Sequence, residues 1–148
     1  MIRQLISSLA ILGFVVVTAC ERADDPGVAT VDPNVVIVQN LMKAYNAHDV
    51  DAMRGFFHDD VGWYEVYGGT ITPVTLSAAD LAGELETYFA TFPNVTSSLE
   101  NPTVSGNYVT AVEKPVWEVD GKRKSQSSIV VYEITDGKVK RFWYFPAL

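Results

Sequence analysis

Two kinds of hydrophobic spacing divide this chain near residue 94. Upstream, after an apolar stretch at the very start, apolar residues return every three or four positions; downstream they alternate. Val35, Val38, Leu41, Met42 and Tyr45 form one stripe behind Asp32-Pro33, where a capping carboxylate and a first-turn proline predict a helix start. Asn46-Ala47-His48 closes that helix, and Asp49 caps a short second one that turns Met53, Phe56 and Phe57 inward. A strand is predicted from Val61 to Tyr67, stopping at Gly68-Gly69. Ser77-Ala78-Ala79-Asp80 approximates a capping box with Asp in place of Glu. It opens a third helix whose stripe is Leu81, Leu85, Tyr88 and Phe92, ended by Pro93.

In the second half, Gly106-Asn107, Asp120-Gly121 and Asp136-Gly137 fall at even spacing, and Asp-Gly favours two-residue hairpin turns. Four antiparallel strands are expected, at about 95–105, 108–119, 122–135 and 138–145. Helices followed by a meander predict an α+β fold, three N-terminal helices packed on a curved antiparallel sheet. Pairing the strands from the two Asp-Gly turns puts Val109, Ala111, Glu113, Trp117, Val130, Tyr132, Arg141, Trp143 and Phe145 on one face. The other carries Val112, Val116, Ile129, Val131, Phe142 and Tyr144, mixed with charges. Both are too apolar for either simply to face water. One is expected to meet the helices, and the face with Val112, Ile129, Val131 and Phe142 to meet a second copy in a homodimer.

The opening stretch has its own logic. Arg3 precedes an apolar run from Leu5 to Val17, too short for a comfortable membrane span, and small residues lead to the single cysteine, Cys20. That is the anatomy of an export signal. Val17-Thr18-Ala19-Cys20 resembles the lipobox of bacterial lipoproteins. The resemblance implies cleavage before Cys20 and acylation of its sulfur and amine, and several acyl chains anchor stably where one would not. An ordinary signal cut after Ala19, or a small buried cysteine, is the alternative that the residues also allow. The expected division is a signal peptide over 1–19, a lipidated cysteine and polar tether over 20–33, and one domain over 34–148. The expected location is the bacterial cell envelope, at the outer membrane where one exists, because no aspartate follows Cys20.

Losing residues 1–19 removes only Arg3, leaving ten Lys and Arg against eighteen Asp and Glu, a net charge of −8. Such a balance argues against nucleic acid or anionic lipid as direct partners. With Cys20 acylated, no thiol remains for disulfides, zinc–thiolate sites or nucleophilic catalysis. His48 and His58 lie beside aspartates without ligand spacing and are expected to be exposed, structural residues at helix-end turns. No metal site and no cofactor are expected.

The segments Ala44-Tyr45-Asn46-Ala47-His48-Asp49-Val50-Asp51-Ala52-Met53 and Phe56-Phe57-His58-Asp59-Asp60-Val61 resemble the N-terminal signature of the nuclear transport factor 2-like superfamily. Its SnoaL-like and ketosteroid-isomerase-like branches are nearest in pattern, and Asp136-Gly137-Lys138-Val139-Lys140-Arg141-Phe142-Trp143 is similar to its last strand. The resemblance spans about residues 34–146. It implies a cone-shaped fold around a pocket open at one end, often dimeric through the outer sheet face. Members range from isomerases, cyclases, epoxide hydrolases and dehydratases to binding modules, so the fold does not choose among them.

By the same resemblance, the general base of the steroid isomerases falls on Glu65. Alternation sets Glu65 between Trp63 and Tyr67, where desolvation would raise a carboxyl pKa into the range useful for proton transfer. The isomerases' oxyanion tyrosine falls on Leu41 and their protonated aspartate on Ile129 or Val130, so both donors are missing. Tyr45, Tyr132 or Arg141 would have to replace them. Tyr45, Trp63, Tyr67, Trp117, Tyr132 and Trp143 are candidates to line a cleft for a flat apolar molecule, or equally to be ordinary core. Two functions follow: an envelope lipoprotein binding a small hydrophobic or aromatic molecule, or a cofactor-free isomerase, cyclase or dehydratase with Glu65 as general acid/base.

Overall fold

The computed structural model describes residues 31–146. The expected signal peptide, Cys20 and most of the tether lie outside them. Each helix starts where a short polar side chain takes up a free backbone N–H. Asp32 Oδ1 accepts from Asn34 N at 2.8 Å ahead of α1 (Pro33–Asn46), and Asp49 Oδ1 from Ala52 N at 2.8 Å ahead of α2 (Val50–Arg54). Ser77 Oγ accepts from Asp80 N at 3.1 Å ahead of α3 (Ala78–Thr91).

The strands are β1 (Phe57–Tyr67), β2 (Thr70–Thr75), β3 (Thr96–Ser105), β4 (Tyr108–Val119), β5 (Lys122–Ser125), β6 (Ser128–Thr135) and β7 (Lys138–Pro146). They form one sheet in the order β2-β1-β7-β6-β4-β3, with β5 also on β4. Helices α1 and α3 cover one face, so Val35, Val38, Leu41, Leu81 and Phe89 pack on Val61, Val109, Val130, Val139 and Phe142. The α+β class and the helix-covered curved sheet are as expected.

Four details differ from the expectation. First, β1 starts at Phe57 and runs parallel to β7, so the sheet is mixed rather than antiparallel. Second, β2 returns along β1 through Gly68-Gly69, whose positive φ angles of 53° and 88° suit glycine. As an almost wholly exposed edge strand it leaves no burial period to detect. Third, the strand expected over 122–135 breaks at Gln126-Ser127, where Pro115 on β4 has no N–H to offer and its carbonyl instead accepts from Gln126 N at 3.2 Å.

The fourth is the register of β7. The Asp136-Gly137 turn pairs Thr135 with Lys138 and Ile134 with Val139, but Glu133 then pairs with Arg141. One extra residue, Lys140, is bulged out, and beyond it every side chain changes face. Phe142 and Tyr144 therefore point inward beside Tyr132 and Val130, while Arg141, Trp143 and Phe145 point outward. Phe142 is a core residue and no part of the outer surface.

The histidines also correct the expectation. Both are half-buried, not exposed. His48 Nε2 bonds the Val95 carbonyl at 2.7 Å and its ring stacks on Phe89; His58 sits within β1 and bonds the Thr135 carbonyl at 2.7 Å. Each ties one element to another.

Candidate functional site

A cavity of about 350 Å³ lies between α1, α3 and the inner face of the sheet. Its walls are mainly aromatic and aliphatic, because the helical stripes and the alternate positions of β1, β4, β6 and β7 converge there. Trp63 stacks on Phe142 with centroids 5.9 Å apart and meets Tyr144 edge-on; Tyr45 meets Phe89 edge-on at 5.1 Å.

The polar centre is Glu113, only 3% exposed. It follows Val109 and Ala111 on the inner face of β4, so the strand's alternation carries a carboxylate into an apolar space. Three hydroxyls meet it. Ser97 Oγ on β3 donates to Oε1 at 3.1 Å, the Tyr144 hydroxyl donates to Oε2, and Tyr132 on β6 faces the same group. Burial pushes the Glu113 carboxyl up to about 7, with the hydrogen bonds from Ser97 and Tyr132 pulling part of the way back. Burial likewise raises the Tyr132 phenol well above its ordinary value, and the neighbouring Glu113 carboxylate adds to that. Tyr45 is also raised, by burial first and by its hydrogen bond to Tyr88 second. The site thus holds one carboxyl poised to gain or lose a proton near neutrality, among phenols that stay protonated.

Ser97 is itself held in place. The Asn46 side chain at the end of α1 donates to the Ser97 carbonyl at 2.9 Å and accepts from Ser97 N at 2.7 Å. The corner between the first two helices is thereby locked to the strand that presents the Ser97 hydroxyl to Glu113.

The structure brings Glu65, Tyr45, Trp63 and Tyr132 to the cavity wall. Glu65 is half-buried there, on the β1 side, whereas Glu113 is enclosed. Tyr67, Trp117 and Trp143 are not part of the lining. Tyr67 lies beside the Gly68-Gly69 turn and is 49% exposed. Trp117 lies past Pro115, packs edge-on against Phe92 and borders a separate shallow cleft with Asn94 and Arg123. Trp143 is outside, stacked on Tyr64 at 5.9 Å, as the bulge at Lys140 requires. Of the proposed donors, Arg141 is outside with it, bonded to Glu133 at 2.7 Å. Glu113 and Tyr144 were the residues that sequence reasoning underweighted. The available signal was a lone acid in the apolar alternation of β4. Among the described residues, no group of three His, Cys, Asp or Glu side chains is placed to hold a metal ion.

Residues 38–142 match the model of the SnoaL-like domain. The chain belongs to the SnoaL-like family. Solved structures agree with this SnoaL-like domain in fold. AclR, a candidate hydroxylase from Streptomyces galilaeus, aligns with a TM-score of 0.63 at 17% identity, over 77% of this chain and 88% of its own. IdmH, a candidate polyketide cyclase from Streptomyces antibioticus, aligns at 0.64 and 16% identity, over 76% and 91%. A nuclear transport factor 2-like protein of unknown function from Burkholderia pseudomallei gives 0.66 at 14% identity, over 79% and 92%. At such identities the likeness concerns the fold. No curated protein matches the SnoaL-like chain in sequence.

Proposed function

We propose that this SnoaL-like domain binds a small, largely aromatic molecule in its cone cavity, with a polar group of that molecule against Glu113. The supporting observation is the cavity itself: about 350 Å³, walled by aromatic rings, with one hydrogen-bonded carboxyl at its floor. Pockets of that size and composition take small ligands, the apolar wall supplying affinity and the few polar groups orientation. Mass spectrometry of small molecules released when the purified full chain is denatured tests the reading. A bound aromatic compound is expected, and Leu85→Trp, which fills the cavity, should abolish it. A compound retained by that variant would place the binding elsewhere.

A second reading, cofactor-free acid–base catalysis, is favoured by one observation. Glu113 is held near neutral pH within reach of Tyr132 and Tyr144, the combination a proton shuttle needs. In this reading Glu113, rather than Glu65, exchanges the proton, and a phenol supports the oxygen on which charge develops. The candidate cyclase and hydroxylase of the same fold give this reading precedent. Glu113→Gln should abolish any turnover.

We also propose that the domain works at the cell envelope, carried there by the signal over residues 1–19 and an acylated Cys20. Cys20→Ser should yield an unprocessed precursor without lipid; a wild-type N-terminus lacking acyl mass would remove this assignment. The uncovered sheet face supports a homodimer. It presents Ile129, Val131, Phe145 and the Tyr64–Trp143 stack, with Ile129 53% and Phe145 39% exposed.

A further inference from the structure

Among the described residues, the walls of the cavity hold three carboxyl side chains and no Lys, Arg or His. Glu113 closes the floor, half-buried Glu65 stands on β1, and Glu84, an exposed residue, lies on the turn of α3 after Leu81. Three cations of the sheet are paired with other acids. Lys114 pairs with Glu100 at 2.7 Å, Arg141 with Glu133 at 2.7 Å, and Lys140 with Asp60. A partly enclosed space of this kind concentrates a negative potential, because low-dielectric walls focus the field of the charges lining it. The chain's overall charge of −7 acts in the same direction at long range.

The aromatic rings point to the same ligand charge. Tyr45, Tyr88, Trp63, Tyr132, Phe142 and Tyr144 surround the cavity, and the face of each ring is the negative end of its quadrupole. A cation set over such faces is attracted, and more so where water is excluded. An anionic ligand would find no cation in this lining to take up its charge.

We propose that the ligand of this cavity is an aromatic or hydrophobic amine, bound as its ammonium ion. The proposal rests on the binding reading above and assigns the ligand's charge. The ammonium donates to the glutamate carboxylates, and its apolar body fills the space beside Leu41, Met53 and Leu85. A carboxylic acid of the same shape is disfavoured by the same groups.

Three probes of one shape test this: naphthylethylammonium, naphthylethanol and naphthylacetate, titrated calorimetrically into the full chain in a non-ionic detergent. The ammonium is expected to bind tightest and the acetate weakest, the two differing by at least about tenfold. Added salt should narrow that gap, as it does for partly exposed charges. The double variant Glu65→Gln/Glu84→Gln should shrink the ammonium-to-acetate ratio severalfold. An ammonium no tighter than the alcohol, or an acetate that binds best, overturns the assignment of charge while the bound alcohol upholds the cavity reading. A ratio unchanged in the double variant overturns it too. If none of the three binds, both the charge assignment and the binding reading fall.

Discussion

Glu113 makes folding stability depend on pH in a direction opposite to that of most paired carboxylates. Its folded value of about 7 stands above the ordinary 4.5. Below 4.5 the carboxyl is protonated in both states and costs nothing. Between 4.5 and 7 the unfolded chain releases the proton and the folded one keeps it, so stability falls as pH rises. Above 7 the penalty is constant, on the order of 3 kcal/mol. Glu113→Gln should therefore match wild type near pH 4.5 and be more stable than it above pH 7, as read from thermal unfolding across that range. Parallel curves for the two proteins would mean that the carboxyl is not kept neutral. Ser97→Ala removes a bond that stabilises the ionised form, so the Glu113 titration should move further upward in carboxyl NMR. Asn46→Ala leaves the backbone N–H and carbonyl of buried Ser97 without partners and should cost about 1–3 kcal/mol in denaturant unfolding.

At the scale of elements, what could be read from the chain was what repeats or caps. Asp32, Asp49 and Ser77 each cap the helix expected of them, and the stripes through Val38 and Leu81 are core. The Asp136-Gly137 turn also forms as expected, with φ angles of 50° and 74°. The bulge at Lys140 was not legible, because nothing in Val139-Lys140-Arg141 distinguishes an extra residue from a regular ladder. Its cause is three-dimensional: Val139 N is bonded to the Phe56 carbonyl at 2.8 Å and the Lys140 ammonium to Asp60, both before or within β1. Trp143 and Arg141 go outward and Tyr144 inward for this reason. Deleting Lys140 would restore a regular ladder and drive Arg141 and Trp143 into the cone. A loss of at least about 4 kcal/mol is expected in chemical denaturation. A deletion variant of wild-type stability would show that β7 accepts either register.

For the whole molecule, the decisive contrast is between the two faces of the sheet. One is covered by α1 and α3, and the other bears Ile129, Val131, Trp143 and Phe145 with no element over them among the described residues. Ile129→Lys puts a charge in the middle of that face. Sedimentation should show the wild type as a dimer and the variant as a monomer, since an unpaired buried charge is strongly unfavourable. A wild type that is already monomeric at about tens of micromolar would dispose of the interface.

The position of β7 reaches into the order of events during synthesis. It is the last strand described, yet it lies in the middle of the sheet, between β1 and β6. Until it is made, the β1–β2 hairpin has no edge on which to join β6, β4 and β3, and Tyr144 is not there to meet Glu113. A nascent chain that stops short of Lys138 therefore cannot close its core, and should be open to protease while the longer chain resists. Completion of the core therefore waits on β7, the one strand that joins the β1–β2 hairpin to the rest of the described sheet.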